Sequence, residues 1–209
     1  SRGRACSSNS RCCSRCWVDV WRALVVSVAM STMVAPRTRL EDMSKKTPHA
    51  ATPALKILEE AGVEHNVTTF EGGSDHFGET AVAALDVEPE RIFKTLVIDL
   101  TAGKAPKPQL AVCVLPVSFQ LSLKKAAAAF GASKATMAKP EDASKSSGYI
   151  PGGISPLGHK NVLPTVVDET ALMWDTIFFS GGKRGLDIEM NAEDLALVLE
   201  VSFHDVLAD

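Results

Sequence analysis

Gly148 to Gly158 reads GYIPGGISPLG, with four glycines, two prolines and almost no side chain able to do acid–base chemistry. Glycine tolerates positive φ and lets main-chain N–H groups face a ligand, while Pro151 and Pro156 stiffen the segment and pre-set its shape. Such a loop can hold a carboxylate, a phosphate or a carbonyl oxygen in a concave array of amides. On composition alone, a rigid surface connection between two strands is the simpler reading.

Downstream of the loop, Val162 to Asp168 and Thr176 to Ser180 read as strands, and Ser180 to Met190, SGGKRGLDIEM, runs into a tight glycine turn around Lys183 and Arg184. Asp187 and Glu189 share a face if LDIE is extended. The spacing does not fit a P-loop, since no Ser or Thr follows the lysine. Upstream, Ile92 to Leu100, IFKTLVIDL, is a strand that sets Lys94 in one row with Ile92, Leu96 and Ile98. A lysine on a core-facing row is costly unless it meets a carboxylate, reaches a cleft or snorkels out at the strand end. A carboxylate of the LDIE strand beside Lys94 would keep both groups charged. An ammonium at the mouth of a cleft would instead hold a carbonyl, carboxylate or phosphate.

The globular part opens at Thr52, an N-cap with Pro53 at the first helical position, and its helix ends at Gly62. Val63 to Phe70 alternates as a strand, Glu71 to Gly78 is a glycine-rich loop carrying His76 and Phe77, and Glu79 to Leu85 is a second helix. Thr101 to Pro108 is a hairpin-like loop leading to a partner strand over Gln109 to Leu115. Helical spacing covers Leu121 to Phe130, Thr136 to Lys139 is extended, and Pro140 to Ser146 forms a helical turn. Asn191 caps a last helix whose Leu195, Val198 and Leu199 face inward, and Ser202 to Leu207 reads as a further helical turn. This interleaving predicts an α/β domain over residues 52–209, a mixed sheet with flanking helices, and not a regular β-α-β series.

The 209 residues allow one domain plus an appendage, and 45% hydrophobic content suffices for a sizeable core. Residues 1–42 hold seven arginines against three acids, net +4, so the remainder carries net −7. An acidic body lacks the broad basic footprint of a protein that holds nucleic acid by phosphate contacts alone. Four of the five cysteines lie in the first sixteen residues, which rules out a disulfide framework across the domain. Cys13 and Cys16 have metal-like spacing without a second pair, so neither a metal nor a cofactor is expected. Cys113, in QLAVCVLP, reads as a buried strand residue and a poor nucleophile. The apolar run Ala23 to Ala35 is too short to span a bilayer. Residues 1–51 read as an N-terminal extension, either an Arg- and Ser-rich transit peptide or translated sequence ahead of a start at Met43. The protein is then organellar in the first case and cytoplasmic in the second.

TPALKILEEAGV, FKTLV, GYIPGGISPLG, LPTVVD and SGGKRGLDIE occur in one order and spacing. Through these five blocks the chain from Thr52 to the C-terminus resembles the YbaK/EbsC family of free-standing Cys-tRNA(Pro) deacylases, relatives of the editing domain in prolyl-tRNA synthetases. The resemblance implies a trans-editing hydrolase with a mixed, partly closed β-sheet. It implies the aminoacyl end of tRNA(Pro) and prolyl-tRNA synthetase as partners, and no membrane. Lys94 matches the family's essential lysine, and Gly152, Gly153, Ile154, Ser155 and Pro156 match its G-x-x-x-P element, whose backbone would cradle the ester and terminal adenosine. Asp187 matches a carboxylate of the site, Ser180 and Gly181 lining positions, and Phe77 an aromatic wall. Phe70 stands where relatives often carry Tyr, so that hydroxyl is missing here. The family has no protein nucleophile, and its selectivity is ascribed to the substrate's own thiol attacking the ester. The absence of a Ser-His-Asp or Cys-His arrangement agrees with this. A sibling deacylase for another small residue such as alanine, and a non-catalytic adaptor for a synthetase or tRNA, are the alternatives.

Overall fold

In a computed structural model, residues 52–71 and 77–209 are described, without the side chains of residues 77–79. The N-terminal extension and most of the glycine-rich loop carrying His76 thus lie outside the described residues. The first helix, α1 (Pro53–Ala61), starts where Thr52 accepts from the Leu55 N–H, and stops at the left-handed Gly62. Its Ala54, Leu55 and Leu58 are buried. After it come β1 (Asn66–Thr69), α2 (Phe77–Leu85), β2 (Ile92–Asp99), β3 (Leu110–Pro116), α3 (Leu123–Ala129), β4 (Thr136–Met137) and α4 (Pro140–Ser147). Beyond the glycine loop lie β5 (Thr165–Asp168), β6 (Ile177–Lys183), β7 (Leu186–Met190), α5 (Ala192–Leu199) and β8 (Ser202–His204). All described residues belong to one compact unit, and none of their helices is long and apolar enough to cross a membrane.

The eight strands form one mixed sheet in the order β1-β7-β6-β2-β3-β5-β8, with β4 paired to β2. One edge of β2 is covered along its length by antiparallel β3, from Phe93 to Asp99. The other edge is shared. Parallel β6 pairs only with Ile92 and Phe93, and antiparallel β4 takes over at Ile98 and Asp99. Residues 94–97 of that edge therefore face no strand, apart from one bond from the Ala138 N–H to the Val97 oxygen.

The two faces of the sheet are covered differently. On one, Phe93, Val112, Val114, Ile177, Phe179 and Ile188 meet the apolar sides of α1 and α5 in a continuous core. On the other the packing is divided. Ala81 of α2 covers Ile92 and Phe178, while Ala126 and Ala127 of α3 cover Ile98, Cys113 and Leu115. Lys94 lies between these two clusters, at the fork in the β2 edge.

Where the sequence suggests a last helical turn over Ser202 to Leu207, the chain forms β8, paired in parallel with β5. The competing force is tertiary. Asp168, fully buried, accepts from the Val206 N–H at 3.0 Å and from the Thr170 N–H and hydroxyl at 3.1 and 2.6 Å. Those bonds bring the C-terminal segment to an open strand edge, where local spacing no longer decides. The strand expected over Val63 to Phe70 contracts to Asn66–Thr69, and that over Val162 to Asp168 begins only after Pro164. Removing the buried acceptor in Asp168→Ala orphans several donors at once, and a loss of about 3 kcal/mol of unfolding free energy is expected from urea melts.

Candidate active site

Lys94 reaches its place because the period-2 pleat puts it on the divided face while the fork leaves space beside it. Its ammonium donates to the carbonyl oxygens of Val117 at 3.2 Å and Phe119 at 2.5 Å. Burial lowers its pKa. A lysine ammonium has three N–H donors, and among the described residues the third has no partner. A carboxylate, one of the answers its sequence environment leaves open, is not what meets its charge. Backbone carbonyls do, and one donor is left over.

Asp187 stands opposite Ser180 of β6 and Thr68 of β1. Since Phe93 pairs with Phe179, the next residues along, Lys94 and Ser180, fall on one face across the gap, and Ser180 continues through paired Asp187 to Thr68 on that face. Asp187 is only 7% exposed and has no hydrogen-bond or ion-pair partner among the described residues. Burial pushes its pKa up to about 6. Asp99, also buried, and half-buried Glu189 are treated differently. Burial would raise Asp99 too, yet donors from Thr101, Gly103 and Gln109 hold it below the usual range. Glu189, two residues on from Asp187, is spent on Arg91, Thr176 and Asn66. Of the LDIE carboxylates, only Asp187 is left unsatisfied.

The glycine loop follows the left-handed cap Gly148 of α4 and is held from several sides. The buried Tyr149 hydroxyl donates to the Leu157 oxygen at 2.9 Å and accepts from the Ala54 N–H, and burial pushes its pKa to about 12. His159, its pKa lowered by burial, sits 2.6 Å through Nε2 from the Ser155 oxygen and turns its ring edgewise to Tyr149. Gly153, Ser155 and Pro156 are buried and Ile154 is half-buried. Gly153 backs onto the β6–β7 hairpin so closely that a Cβ there would lie 3.1 Å from the Arg184 nitrogen. Among the described residues, the N–H groups of Gly152, Ile154 and Ser155 are spent on no hydrogen bond. An array of unspent amides on a clamped loop is suited to an oxyanion or a polarised carbonyl.

The remaining sequence candidates divide. Ser180 borders the fork and accepts weakly from the Gly182 N–H at 3.4 Å. Gly181 is buried, and its oxygen accepts from the Thr52 hydroxyl at 2.6 Å, tying α1 to the β6 bulge. Phe70 packs beside Ala81, Ile92 and Phe178, with its N–H on the Gly185 oxygen. Phe77 begins α2, and its side chain lies outside the described residues. Thr52, Tyr149, His159 and Arg184 were not candidates from sequence, although an aromatic and a histidine flanking a glycine loop carry that signal. Cys113 is fully buried, with its pKa raised to about 12. No group of three His, Cys, Asp or Glu among the described residues is placed to hold a metal ion.

Residues 76–197 match the family model described as the aminoacyl-tRNA editing domain. A relative from Enterococcus faecalis, named as a candidate Cys-tRNA(Pro)/Cys-tRNA(Cys) deacylase, EbsC, is 36% identical over 165 residues, covering 78% of this chain and 98% of that protein. A solved structure described as a candidate trans-editing enzyme for prolyl tRNA synthetase superposes with a TM-score of 0.64 at 22% identity, covering 77% of this chain and all of that one. Another, described as a hypothetical protein, gives 0.66 at 20% identity, over 75% of this chain and all of that one. The two structural likenesses speak to the fold.

The unsatisfied Asp187 makes a testable signature. Its folded pKa is raised, so its contribution to stability is fully present below the unfolded value of 3.8 and is lost as pH climbs through about 6. Asp187→Asn should therefore gain up to about 3 kcal/mol on the wild type between pH 4 and pH 7, read from urea melts across that range.

Proposed function

The chain belongs to the aminoacyl-tRNA editing domain family, and on that premise we propose that it is a trans-editing hydrolase that removes cysteine from mischarged Cys-tRNA(Pro). The observation that carries this reading is the row at the β2 fork, where Lys94 has a donor to spare and buried Asp187 has no partner. A site that keeps one donor of a cation to spare and leaves a buried acid without a partner is arranged for a ligand.

Lys94 offers its third N–H to an oxygen of the terminal nucleotide or ester. Unspent amides of the Gly152 to Pro156 loop receive the ester carbonyl as it becomes an oxyanion. No serine or cysteine of the described domain is set up as a nucleophile, and the substrate supplies its own. The cysteinyl sulfur attacks the ester carbonyl carbon and the C–O bond to ribose breaks. The ribose hydroxyl takes up a proton, and the resulting thiolactone adds water to give free cysteine. Asp187, poised near pH 6, accepts the thiol proton and returns it to the departing oxygen. Serine and alanine esters lack the thiol, which adds chemical selection where fit alone separates such small side chains by only ~1–3 kcal/mol. With a net charge of −7 after residue 42, the protein relies on prolyl-tRNA synthetase to bring tRNA(Pro) within reach.

The test is deacylation of Cys-, Ala- and Pro-charged tRNA(Pro) by the full chain, with and without prolyl-tRNA synthetase. Cysteine should be released selectively, and Lys94→Ala should slow release by on the order of 100-fold while circular dichroism stays unchanged. Alanine released as fast as cysteine would remove the thiol step. No ester cleaved under either condition would remove the enzyme.

A further inference from the structure

Ile150 to Gly153 form a β-turn, closed by the Gly153 N–H on the Ile150 oxygen at 3.0 Å. Pro151 occupies its second position and Gly152, with φ +82, its third, which makes the turn type II. Types I and II differ by a flip of the central peptide, and a glycine at the third position tolerates either. Which way the Pro151–Gly152 peptide faces is therefore open to a choice made elsewhere. Arg184, at the tip of the β6–β7 hairpin, makes that choice. Its Nε and Nη2 donate to the Pro151 oxygen at 3.2 and 2.9 Å. In a planar trans peptide the N–H points opposite to the C=O. The same contact that draws the Pro151 oxygen to the guanidinium thus turns the Gly152 N–H away from it, and that N–H has no partner among the described residues. A cation on the carbonyl also polarises the peptide and strengthens its N–H as a donor.

We propose that Arg184 is a positioning residue that fixes the Pro151–Gly152 peptide in the flip that presents a polarised Gly152 N–H to the substrate's ester carbonyl. This rests on the deacylase reading above. An exposed arginine beside an RNA substrate has a second obvious use, a phosphate contact, and the two roles separate in kinetics. A phosphate contact acts mainly on KM and weakens with salt. A donor that matters as the oxyanion develops acts on kcat.

The experiment is steady-state deacylation of Cys-tRNA(Pro) by full-length wild type, Arg184→Ala, Arg184→Lys and Lys183→Ala, the last removing an equal charge one residue away. Arg184→Ala should lower kcat by about 10- to 100-fold with KM within about twofold. Arg184→Lys should fall between it and the wild type, methylguanidinium in solution should restore Arg184→Ala, and Lys183→Ala should keep its kcat. An unchanged kcat in Arg184→Ala, or a loss confined to KM and abolished by salt, overturns the proposal. Should Arg184→Ala fail to fold, the kcat of Arg184→Lys decides by the same reading. The ligand-free protein gives an independent measurement. The amide resonance of Gly152 should move in Arg184→Ala and stay in Lys183→Ala, and a resonance unmoved by the loss of Arg184 overturns the latch. If the wild type cleaves no ester, the functional reading falls while this resonance still judges the turn.

Discussion

A strand edge can be hydrogen-bonded to one neighbour at a time, and β2 divides one of its edges between two. Parallel β6 leaves after Phe93, antiparallel β4 arrives at Ile98, and the interval between them opens a gap inside an otherwise continuous sheet. The helices respect that division. One face carries an unbroken core under α1 and α5, whereas the other splits into a cluster under α2 and a cluster under α3. Polar side chains survive at mid-sheet because the fork and the split coincide. Lys94 would be intolerable one row further into either cluster.

Around that gap the protein satisfies nearly every buried polar group and spares a few. Asp99 and Asp168 each collect several donors and organise a turn and a strand edge, and Glu189 is absorbed by Arg91 and Thr176. Asp187 collects none among the described residues. The glycine loop shows the same contrast. Its carbonyl oxygens and flanking side chains are tied by Tyr149, His159 and Arg184, while three of its N–H groups are left unspent. Stability is given up at isolated points and recovered in the frame around them, which is how a site holds its shape without its ligand.

Local chemistry was well written in the sequence. Thr52, Pro53 and Gly62 announced α1, and the apolar row around Lys94 announced a charged group that needed an explanation. The alternation in LDIE put Asp187 and Glu189 on one face, as found, but could not say that one would be consumed structurally and the other left over. That difference lies in Thr176, across the β6–β7 hairpin, and in Arg91, far away along the chain. The fork was equally hidden, because parallel pairing of β2 with β6 joins segments more than 80 residues apart. For the same reason local spacing reads Ser202 to Leu207 as helical where a strand edge claims the segment, and it leaves open whether a carboxylate, a cleft or solvent answers Lys94, which two backbone carbonyls meet. Blocks spread across the chain, matched together, conveyed the family where single motifs could not.

The burial of Cys113 bears on what the domain can safely handle. A protein that works on a thiol-bearing ester meets a nucleophile and a disulfide-forming group at every turnover. Cys113 is wholly enclosed between strands, and its thiol is held neutral far above physiological pH. It is the free cysteine among the described residues, so the folded domain presents no thiolate there for a mixed disulfide. Cysteinyl substrate and released cysteine can pass Cys113 without derivatising it.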